Sequence, residues 1–246
     1  MKYFEKLEQF NMTNAYKFLD YYNELDLLLA KALNQADYVS FRDKVRDLSG
    51  KNAVIKRYRD DLFQLGNLRN AIAHQTKGGA PIAEPFEETV KLIQKILEEF
   101  KNPKRVIPAF QFEVFTVTPD TPLINLLQEM KTQNFSQAPI LDHDGKVIEV
   151  VSTNTISRWL IAEYENQLID LTAAKISDLM PHVETKENYA LISRNTTVYE
   201  AAEIYLKKSK EKKSQLDCLI ITQNGKPTEK LMGIVCIEDI APYLMD

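Results

Sequence analysis

The sequence has few of the residues that build metal centres and disulfide frameworks. It contains two cysteines, Cys218 and Cys236, and three histidines, His74, His143 and His182, among 246 residues. Neither a Cys-x2-Cys spacing nor a compact Cys/His cluster occurs, so we expect no metal site and no disulfide-stabilised fold. Each cysteine lies in an apolar run typical of a strand, and both are predicted to be free thiols buried in the core.

Long apolar runs are lacking as well. None approaches the roughly 20 residues that a helix needs to cross a bilayer. Residues 1–6 also lack the charged-then-apolar layout of a signal peptide. We therefore expect a soluble protein of the cytoplasm with no membrane partner. A chain of 246 residues with 44% apolar content is long enough for two domains with hydrophobic cores.

The formal net charge of −4 is unevenly distributed along the chain. Residues 1–105 contain 18 Lys and Arg against 15 Asp and Glu, or +3, whereas the remainder contains 13 against 20, or −7. Within residues 42–59 the basic residues outnumber the acidic ones, which are only Asp43 and Asp47. The basic residues of this segment are Arg42, Lys44, Arg46, Lys51, Lys56, Arg57 and Arg59. This segment is the part of the chain that favours a nucleic-acid partner, but a solvated helix surface has the same composition.

Apolar residues recur at three-four spacing in the first half of the chain, which predicts a bundle of amphipathic helices. The helices are predicted over about residues 13–35, from a capping box at Ser40 to Gly50, from Asn52 to Gln75, and onward from Pro85. We expect Gly66 to bend the third of these helices.

The end of the third helix carries a polar set suited to cleaving RNA without a metal. Arg69, Asn70 and His74 supply a fixed cation, a neutral amide and an imidazole. At about 100° per residue, Asn70 and His74 share a helix face, while Arg69 projects to one side and can reach the same phosphate. The residues after His74 cannot continue a helix, and a helix C-terminus favours the protonated imidazole. We therefore predict that His74 acts as a general acid near neutral pH.

This arrangement resembles the R-x4-H motif of the HEPN family (higher eukaryotes and prokaryotes nucleotide-binding), small helical domains that include many ribonucleases. Residues 22–28 and 82–85 are also similar to that family, and the resemblance covers roughly residues 1–102.

The resemblance to HEPN domains implies a homodimer in which two copies of Arg69 and His74 line a shared groove. Asn70 would orient the imidazole or the phosphate, and cleavage would leave a 2′,3′-cyclic phosphate and a 5′-OH. The alternative is a polar dimer contact through Arg69 and His74 that cuts nothing.

Beyond residues 102–108 the pattern changes to short strands alternating with short helices, and this pattern occurs twice. Residues 115–123 match 190–198, residues 144–146 match 224–226, and residues 150–152 match 234–236. Each unit is predicted as strand, helix, strand, turn, strand, helix. The growing offset places two insertions in the second copy, at 207–213 and 227–230, where loops are expected.

The tandem repeat resembles the CBS (cystathionine-β-synthase) domain family, whose members occur as pairs and often bind adenosine-containing ligands between the units. In that family a Gly-apolar-apolar-Ser/Thr-x-x-Asp run supplies a hydroxyl for phosphate and a carboxylate for ribose. The first copy keeps Ser152 but has Thr155 at the carboxylate position. The second copy has Gly233 and Asp239 but places Cys236, a poor phosphate donor, at the hydroxyl position. The resemblance therefore assigns the nucleoside end of a ligand to the cleft of Asp239, unless the pair has become a dimerising platform.

The sequence thus predicts an α+β protein with an all-α helical bundle over residues 1–103 and an α/β CBS pair over 104–246. The two CBS units are expected at about 106–165 and 183–246, joined by a connector at 166–182. Two regulatory functions fit this architecture. One is a sensor of AMP, ADP or ATP whose helical domain is a ligand-regulated endoribonuclease that requires no cofactor. The other is a non-enzymatic sensor whose helical domain only dimerises or recruits a partner.

Overall fold

The computed structural model describes residues 13–34, 39–74, 76–77, 80–81, 83–165, 170–183, 188–212 and 216–244. Two compact units divide the chain, Met1–Pro103 and Lys104–Asp246. Within the described residues, no helix combines the length and the apolarity needed to cross a bilayer.

The first unit is built from helices and one small antiparallel strand pair. The helices are α1 (Asn14–Ala32), α2 (Phe41–Ser49), α3 (Ala53–Arg57), α4 (Arg59–His74) and α5 (Glu87–Lys101), with β1 (Thr76–Lys77) and β2 (Ala80–Pro81) between α4 and α5. The expectation of an all-α unit is therefore wrong at this hairpin. The glycine- and proline-containing sequence that ends α4 at His74 opposes helix and is suited to a tight turn.

The core of the first unit follows the predicted three-four spacing. Phe18, Tyr22, Leu25 and Leu29 of α1 are buried, and α1 packs along α5. The predicted cap of α2 is confirmed, because Ser40 Oγ accepts a hydrogen bond from the backbone N–H of Asp43 at 3.2 Å.

The predicted helix over residues 52–75 is interrupted, and the position of the interruption differs from the expectation. It lies at Tyr58 (φ −92°, ψ 17°), between α3 and α4, and Gly66 lies inside α4. A Cβ at Gly66 would lie 3.4 Å from Phe41 Cδ1 and 3.7 Å from Tyr22 Oη. Gly66 therefore permits Tyr22 of α1 and Phe41 of α2 to lie close to α4. The centroids of these two rings are 4.4 Å apart.

The second unit contains the two predicted copies. After the helical turn α6 (Val106–Ala109), the first copy consists of α7 (Leu123–Gln133), β3 (Gln137–Leu141), β4 (Val147–Ser152) and α8 (Thr153–Glu165). A connector carries α9 (Ile176–Leu179) and a 3-10 turn (Met180–His182). The second copy consists of β5 (Tyr189–Ser193), α10 (Val198–Lys212), β6 (Cys218–Thr222), β7 (Gly233–Val235) and α11 (Ile237–Leu244).

Both copies share one strand arrangement. In the second copy β6 pairs parallel with β5 and antiparallel with β7. In the first copy β3 pairs antiparallel with β4, and the strand equivalent to β5 is reduced to a parallel bridge between Val117 and Ile140. Each copy has its own apolar core, and a third cluster containing Val147, Val150 and Ile220 joins the two hairpins. Trp159 packs in the first core, where it is 3% exposed.

The two insertions in the second copy have different structures. Residues 207–212 belong to α10, so the expectation of a loop there is wrong. Helix α10 has 15 residues against 11 in α7, and four more residues extend a helix by about one turn. The insertion at 227–230 is a loop, and its Glu229 carboxylate accepts hydrogen bonds from the backbone N–H groups of Asn224 and Lys226.

Candidate functional site

A cleft of ≈ 560 Å³ lies between the two copies of the second unit. Its first wall comes from residues 112–115 and 133–137 of the first copy, and its second wall comes from Ile234, Cys236, Glu238 and Asp239 of the second copy. Small-molecule sites span about 300–1,000 Å³, so the cleft has the size of a ligand-binding pocket.

Asp239 is fixed in this cleft by the local structure of α11. Its Oδ2 accepts a hydrogen bond from the backbone N–H of Cys236 at 2.8 Å. This contact caps the first turn of the helix, where a carboxylate also interacts favourably with the helix dipole. The second oxygen has lone pairs for further donors, such as the hydroxyls of a bound molecule.

Cys236 is half-buried and lines the cleft, so the expectation that both thiols lie in the core holds only for Cys218. The Cys236 Sγ accepts a hydrogen bond from Gln137 Nε2 at 2.7 Å, which links the two copies. Burial, with nearby carboxylates such as Asp239 adding to it, raises the pKa of Cys236 to about 12. The thiol is therefore neutral at physiological pH and is not an activated nucleophile.

Aromatic side chains supply much of the first wall. Phe112 is 50% exposed beside the cleft, and Phe115 and Phe135 lie with ring centroids 5.4 Å apart and an interplanar angle of 33°. Phe115 and Phe135 also pack against the first core, which holds them in place. An exposed ring next to a cleft offers a face on which a flat, conjugated group can stack.

The charge of the cleft is negative. Glu113, Glu238 and Asp239 contribute carboxylates, while the described lining residues include neither Lys nor Arg. A site with this charge favours neutral or cationic groups and opposes the entry of several phosphates.

Gly233 acts through the backbone. A Cβ at this position would lie 2.7 Å from the carbonyl oxygen of Phe110, which is closer than real Cβ contacts. Glycine therefore lets the segment that continues into Phe112 and Glu113 lie directly against β7. Its predicted role in ligand binding remains a prediction, and the geometry supports a part in building the wall.

Ser152 and Thr155 occupy the positions in the first copy that correspond to Cys236 and Asp239. Their side chains are 6% and 1% exposed. Ser152 Oγ accepts from the Thr155 N–H and Thr155 Oγ1 accepts from the Ser152 N–H, both at 3.4 Å. The structure does not bring these two residues to the cleft of Asp239, and their role as ligand contacts remains a prediction.

The predicted catalytic residues of the helical unit lie near the end of α4. Arg69 Nη1 donates a hydrogen bond to Asn70 Oδ1 at 3.4 Å, and Arg69 Cζ lies 5.7 Å from the centre of the Tyr22 ring. Both residues line a pocket of ≈ 280 Å³ together with Tyr22, Asn23 and Asp26. The helix ends at His74 as predicted, but the side chain of His74 lies outside the described residues.

The sequence did not predict the cleft residues Phe112, Phe135 and Gln137, because the expected ligand contacts lay only in the segment that follows each hairpin. Phe135 lies just before β3, Gln137 is its first residue, and Phe112 precedes the Val117 bridge, yet all three line the cleft with Cys236 of the second copy. The available signal was the repeat itself, because tandem packing places the strand starts of one copy against the post-hairpin residues of the other.

Comparison with known families finds one match, the family described as "CBS domain", over residues 110–162 and 176–246. Together these segments make up half of the chain. A comparison with curated proteins finds no match.

Several solved structures resemble part of the chain. CBSX2 from Arabidopsis thaliana, solved in complex with AMP, is 18% identical with a TM-score of 0.42, and the match covers 56% of this chain and 94% of CBSX2. The conserved CBS domain protein TA0289 from Thermoplasma acidophilum is 15% identical with a TM-score of 0.44, covering 58% of this chain and 70% of TA0289.

Proposed function

Since this chain belongs to the CBS domain family, we propose that its tandem pair senses an adenine nucleotide, whose nucleoside end occupies the cleft of Cys236 and Asp239. The observation that carries the proposal is the pairing of a fixed carboxylate on one wall with an exposed phenylalanine on the other. The Asp239 carboxylate accepts the ribose hydroxyls in charge-assisted hydrogen bonds, and Phe112 stacks on the base.

The charge of the cleft selects among adenine nucleotides. Glu113 and Glu238 repel phosphates, and the neutral thiol of Cys236 is a weak donor for them. We therefore propose that adenosine and AMP bind more tightly than ADP, and that ATP binds most weakly.

Thermal denaturation against adenosine, AMP, ADP and ATP tests the sensor, with the parent protein beside Asp239→Asn. The asparagine keeps an amide oxygen that accepts the Cys236 N–H but removes the negative charge. A ligand at a hundred times its dissociation constant stabilises the parent by about 2.7 kcal/mol. We expect this stabilisation to shrink in the variant while the ligand-free melting temperature stays close to that of the parent. An equal response of the variant, or no response of the parent to any of the four, refutes the assignment.

Thr155→Val is the matched control, because Thr155 is the counterpart of Asp239 in the first copy. The valine removes a buried hydroxyl and leaves the Ser152 N–H without its acceptor. We expect this variant to lose roughly 1 kcal/mol or more of stability and to keep the full response to ligand.

A second candidate function, a ligand-regulated and metal-independent endoribonuclease, is favoured by the pocket at the end of α4. This pocket brings Arg69 and Asn70 together with Tyr22, Asn23 and Asp26, which belong to the upstream segment that resembles HEPN domains. Transesterification by the RNA 2′-OH needs a base, an acid and a cation at the phosphate, and the sequence of the helical unit contains a single histidine, His74. The proposal therefore requires a homodimer that places two copies of His74 at one site.

Incubation of the purified protein with total RNA in EDTA separates the two candidates, with His74→Ala run in parallel. Cleavage by the parent alone, leaving 2′,3′-cyclic phosphate ends, supports the enzyme. If neither protein cuts RNA with AMP, with ATP or without nucleotide, the helical unit has no ribonuclease activity and the sensor function stands by itself.

A further inference from the structure

Two pockets lie side by side between α2 and α4 of the helical unit, and together we name them the α2–α4 groove. One pocket has a volume of ≈ 450 Å³ and is lined by Arg46, Ser49, Gly50, Lys56, Arg57, Arg59 and Asp60. The other is the ≈ 280 Å³ pocket of Arg69 and Asn70, whose lining also includes Arg42, Phe63 and Asn67.

Phe63 connects the two pockets. The guanidinium carbon of Arg42 lies 4.6 Å from the centre of its ring, and that of Arg59 lies 5.4 Å from the same point. Arg59 lines the first pocket, and Arg42 and Phe63 line the second. The two pockets therefore adjoin at this aromatic ring, which two guanidinium groups flank.

Helical spacing aligns the side chains of the groove. Arg59, Phe63, Asn67 and Asn70 follow one another on α4 at intervals of four, four and three residues, so they share one face of the helix. At 1.5 Å per residue, this row is about 17 Å long. Arg42 and Arg46 of α2, four residues apart, lie along the opposite wall.

The charge of the groove is strongly positive. Among the described residues that line it, six are cations, namely Arg42, Arg46, Lys56, Arg57, Arg59 and Arg69, and two are carboxylates, Asp26 and Asp60. Asp26 already forms an ion pair with Lys44 Nζ at 2.7 Å. Arg46 pairs with Asp43 at 2.8 Å, but the two side chains are 59% and 48% exposed, and such surface pairs exchange readily for another anion.

We propose that the α2–α4 groove binds single-stranded nucleic acid, with the sugar-phosphate backbone along the arginines and bases stacked near Phe63. Cations spaced along a groove match the repeating phosphates of a strand. Guanidinium planes and an aromatic ring stack unpaired bases, and the amides of Asn67 and Asn70 can hydrogen-bond to base edges. The proposal deepens the ribonuclease candidate, because the row of side chains leads from Arg59 to Asn70, but binding requires no cleavage.

Fluorescence anisotropy with a labelled 12-residue 2′-O-methyl oligouridine tests binding alone, because this probe has no free 2′-OH to be cut. The double variant Arg46→Ala/Arg59→Ala is compared with the parent at several salt concentrations. We expect about tenfold weaker binding, and a slope of log K against log salt that is smaller by about 1.4, since each phosphate contact to a single strand contributes about 0.7.

The matched control is Lys17→Ala/Lys91→Ala, which removes the same charge from the helical unit outside the groove. Lys91 is 67% exposed and, like Arg46, pairs with a carboxylate in its own helix. The slope of log K against log salt for this control should equal that of the parent. The variant Arg46→Lys/Arg59→Lys, which keeps both charges, should retain most of the parent slope. An equal loss of affinity in the Arg46→Ala/Arg59→Ala variant and in the control overturns the proposal. Displacement of the probe by millimolar pyrophosphate also overturns it, because the groove would then bind a polyanion with no preference for a nucleic-acid strand.

Unmodified RNA in EDTA then separates this proposal from the ribonuclease candidate. Binding without cleavage, whether AMP, ATP or no nucleotide is present, refutes the enzyme and leaves the groove in place. Cleavage by Arg46→Ala/Arg59→Ala with an unchanged KM refutes the groove and leaves the enzyme in place.

Discussion

The two copies of the second unit share one backbone-to-side-chain hydrogen bond at the start of their last helix, but the side chains that accept it differ. At the end of the last strand, the backbone N–H of Ser152 donates to Thr155 Oγ1 at 3.4 Å, and that of Cys236 donates to Asp239 Oδ2 at 2.8 Å. In the first copy the partners are buried hydroxyls that also bond to each other. In the second copy the acceptor is a carboxylate beside an open cleft.

This difference shows how one copy of a duplicated fold can specialise. The cap itself is retained because each helix start needs acceptors for its free N–H groups. A hydroxyl and a carboxylate can both cap the helix, but the Asp239 carboxylate lines the open cleft with lone pairs for a ligand, whereas the Thr155 hydroxyl is buried. The side chain three residues after Ser152 or Cys236 therefore determines whether a carboxylate is present at the start of the helix.

The largest expected difference between the copies is in packing, at Trp159 and Tyr243, which share the 84-residue offset of the flanking strands. Trp159 is 3% exposed, whereas Tyr243 is partly exposed and meets Tyr199 edge to face at 5.5 Å. We expect Trp159→Ala to lower the free energy of unfolding by about 3–5 kcal/mol, and Tyr243→Ala by less than half as much. Urea denaturation of both variants provides the measurement, and equal losses contradict the inferred difference in packing.

A smaller effect, on ligand affinity, is expected when Cys236 of the second copy is replaced by serine, the residue at the equivalent position of the first copy. Cys236→Ser replaces a neutral thiol by a stronger donor at the cleft, so a phosphate gains about one net hydrogen bond, worth roughly 0.5–1.5 kcal/mol. Affinity for AMP should rise about 2–10-fold relative to adenosine in isothermal titration calorimetry. The control is Cys218→Ser, whose side chain is fully buried, so it should lose stability without changing the ratio. An equal gain for adenosine would show that the new hydroxyl does not contact phosphate.

The smallest expected effect concerns the hairpin turns of the two copies. Asp142 closes the first turn by accepting from the N–H groups of Asp144 and Lys146, whereas Glu229 from the inserted loop closes the second. Hydrogen bonds from Asn224, followed by those from Thr222 and Lys226, lower the pKa of Glu229 from 4.5 to about 2. A lowered pKa means that the ionised group stabilises the folded state above about pH 4.5, and that this contribution is lost as the pH falls towards 2.

Glu229→Gln tests this contribution to stability. The variant should melt slightly below the parent at pH 7, and the difference should vanish as the pH approaches 2. Melting temperatures measured from pH 7 to pH 2 follow the change, with Glu203→Gln on α10 as a control outside the turn. A difference between parent and variant that is constant with pH contradicts the assigned cause.

Features that depend on neighbouring residues could be predicted from the sequence. The apolar spacing of α1, the cap at Ser40 and the end of α4 at His74 follow from periodicity, side-chain hydrogen bonding and helix-breaking residues. The break at Tyr58 and the helical extension at 207–212 could not be predicted in this way. Both are compatible with local propensity, and packing against neighbouring elements decides between helix and turn.

The sequence by itself determined the duplicated pattern, the family of the second half, and the residues whose chemistry differs between the copies. Only the tertiary structure decided that Cys236 and Asp239 share a cleft with Phe112 and Gln137, while Ser152 and Thr155 are buried. Periodicity and caps act over a few residues, but Gln137 and Cys236 are 99 positions apart in the chain. Their contact exists because buried side chains of both hairpins pack together, and no local pattern encodes that approach.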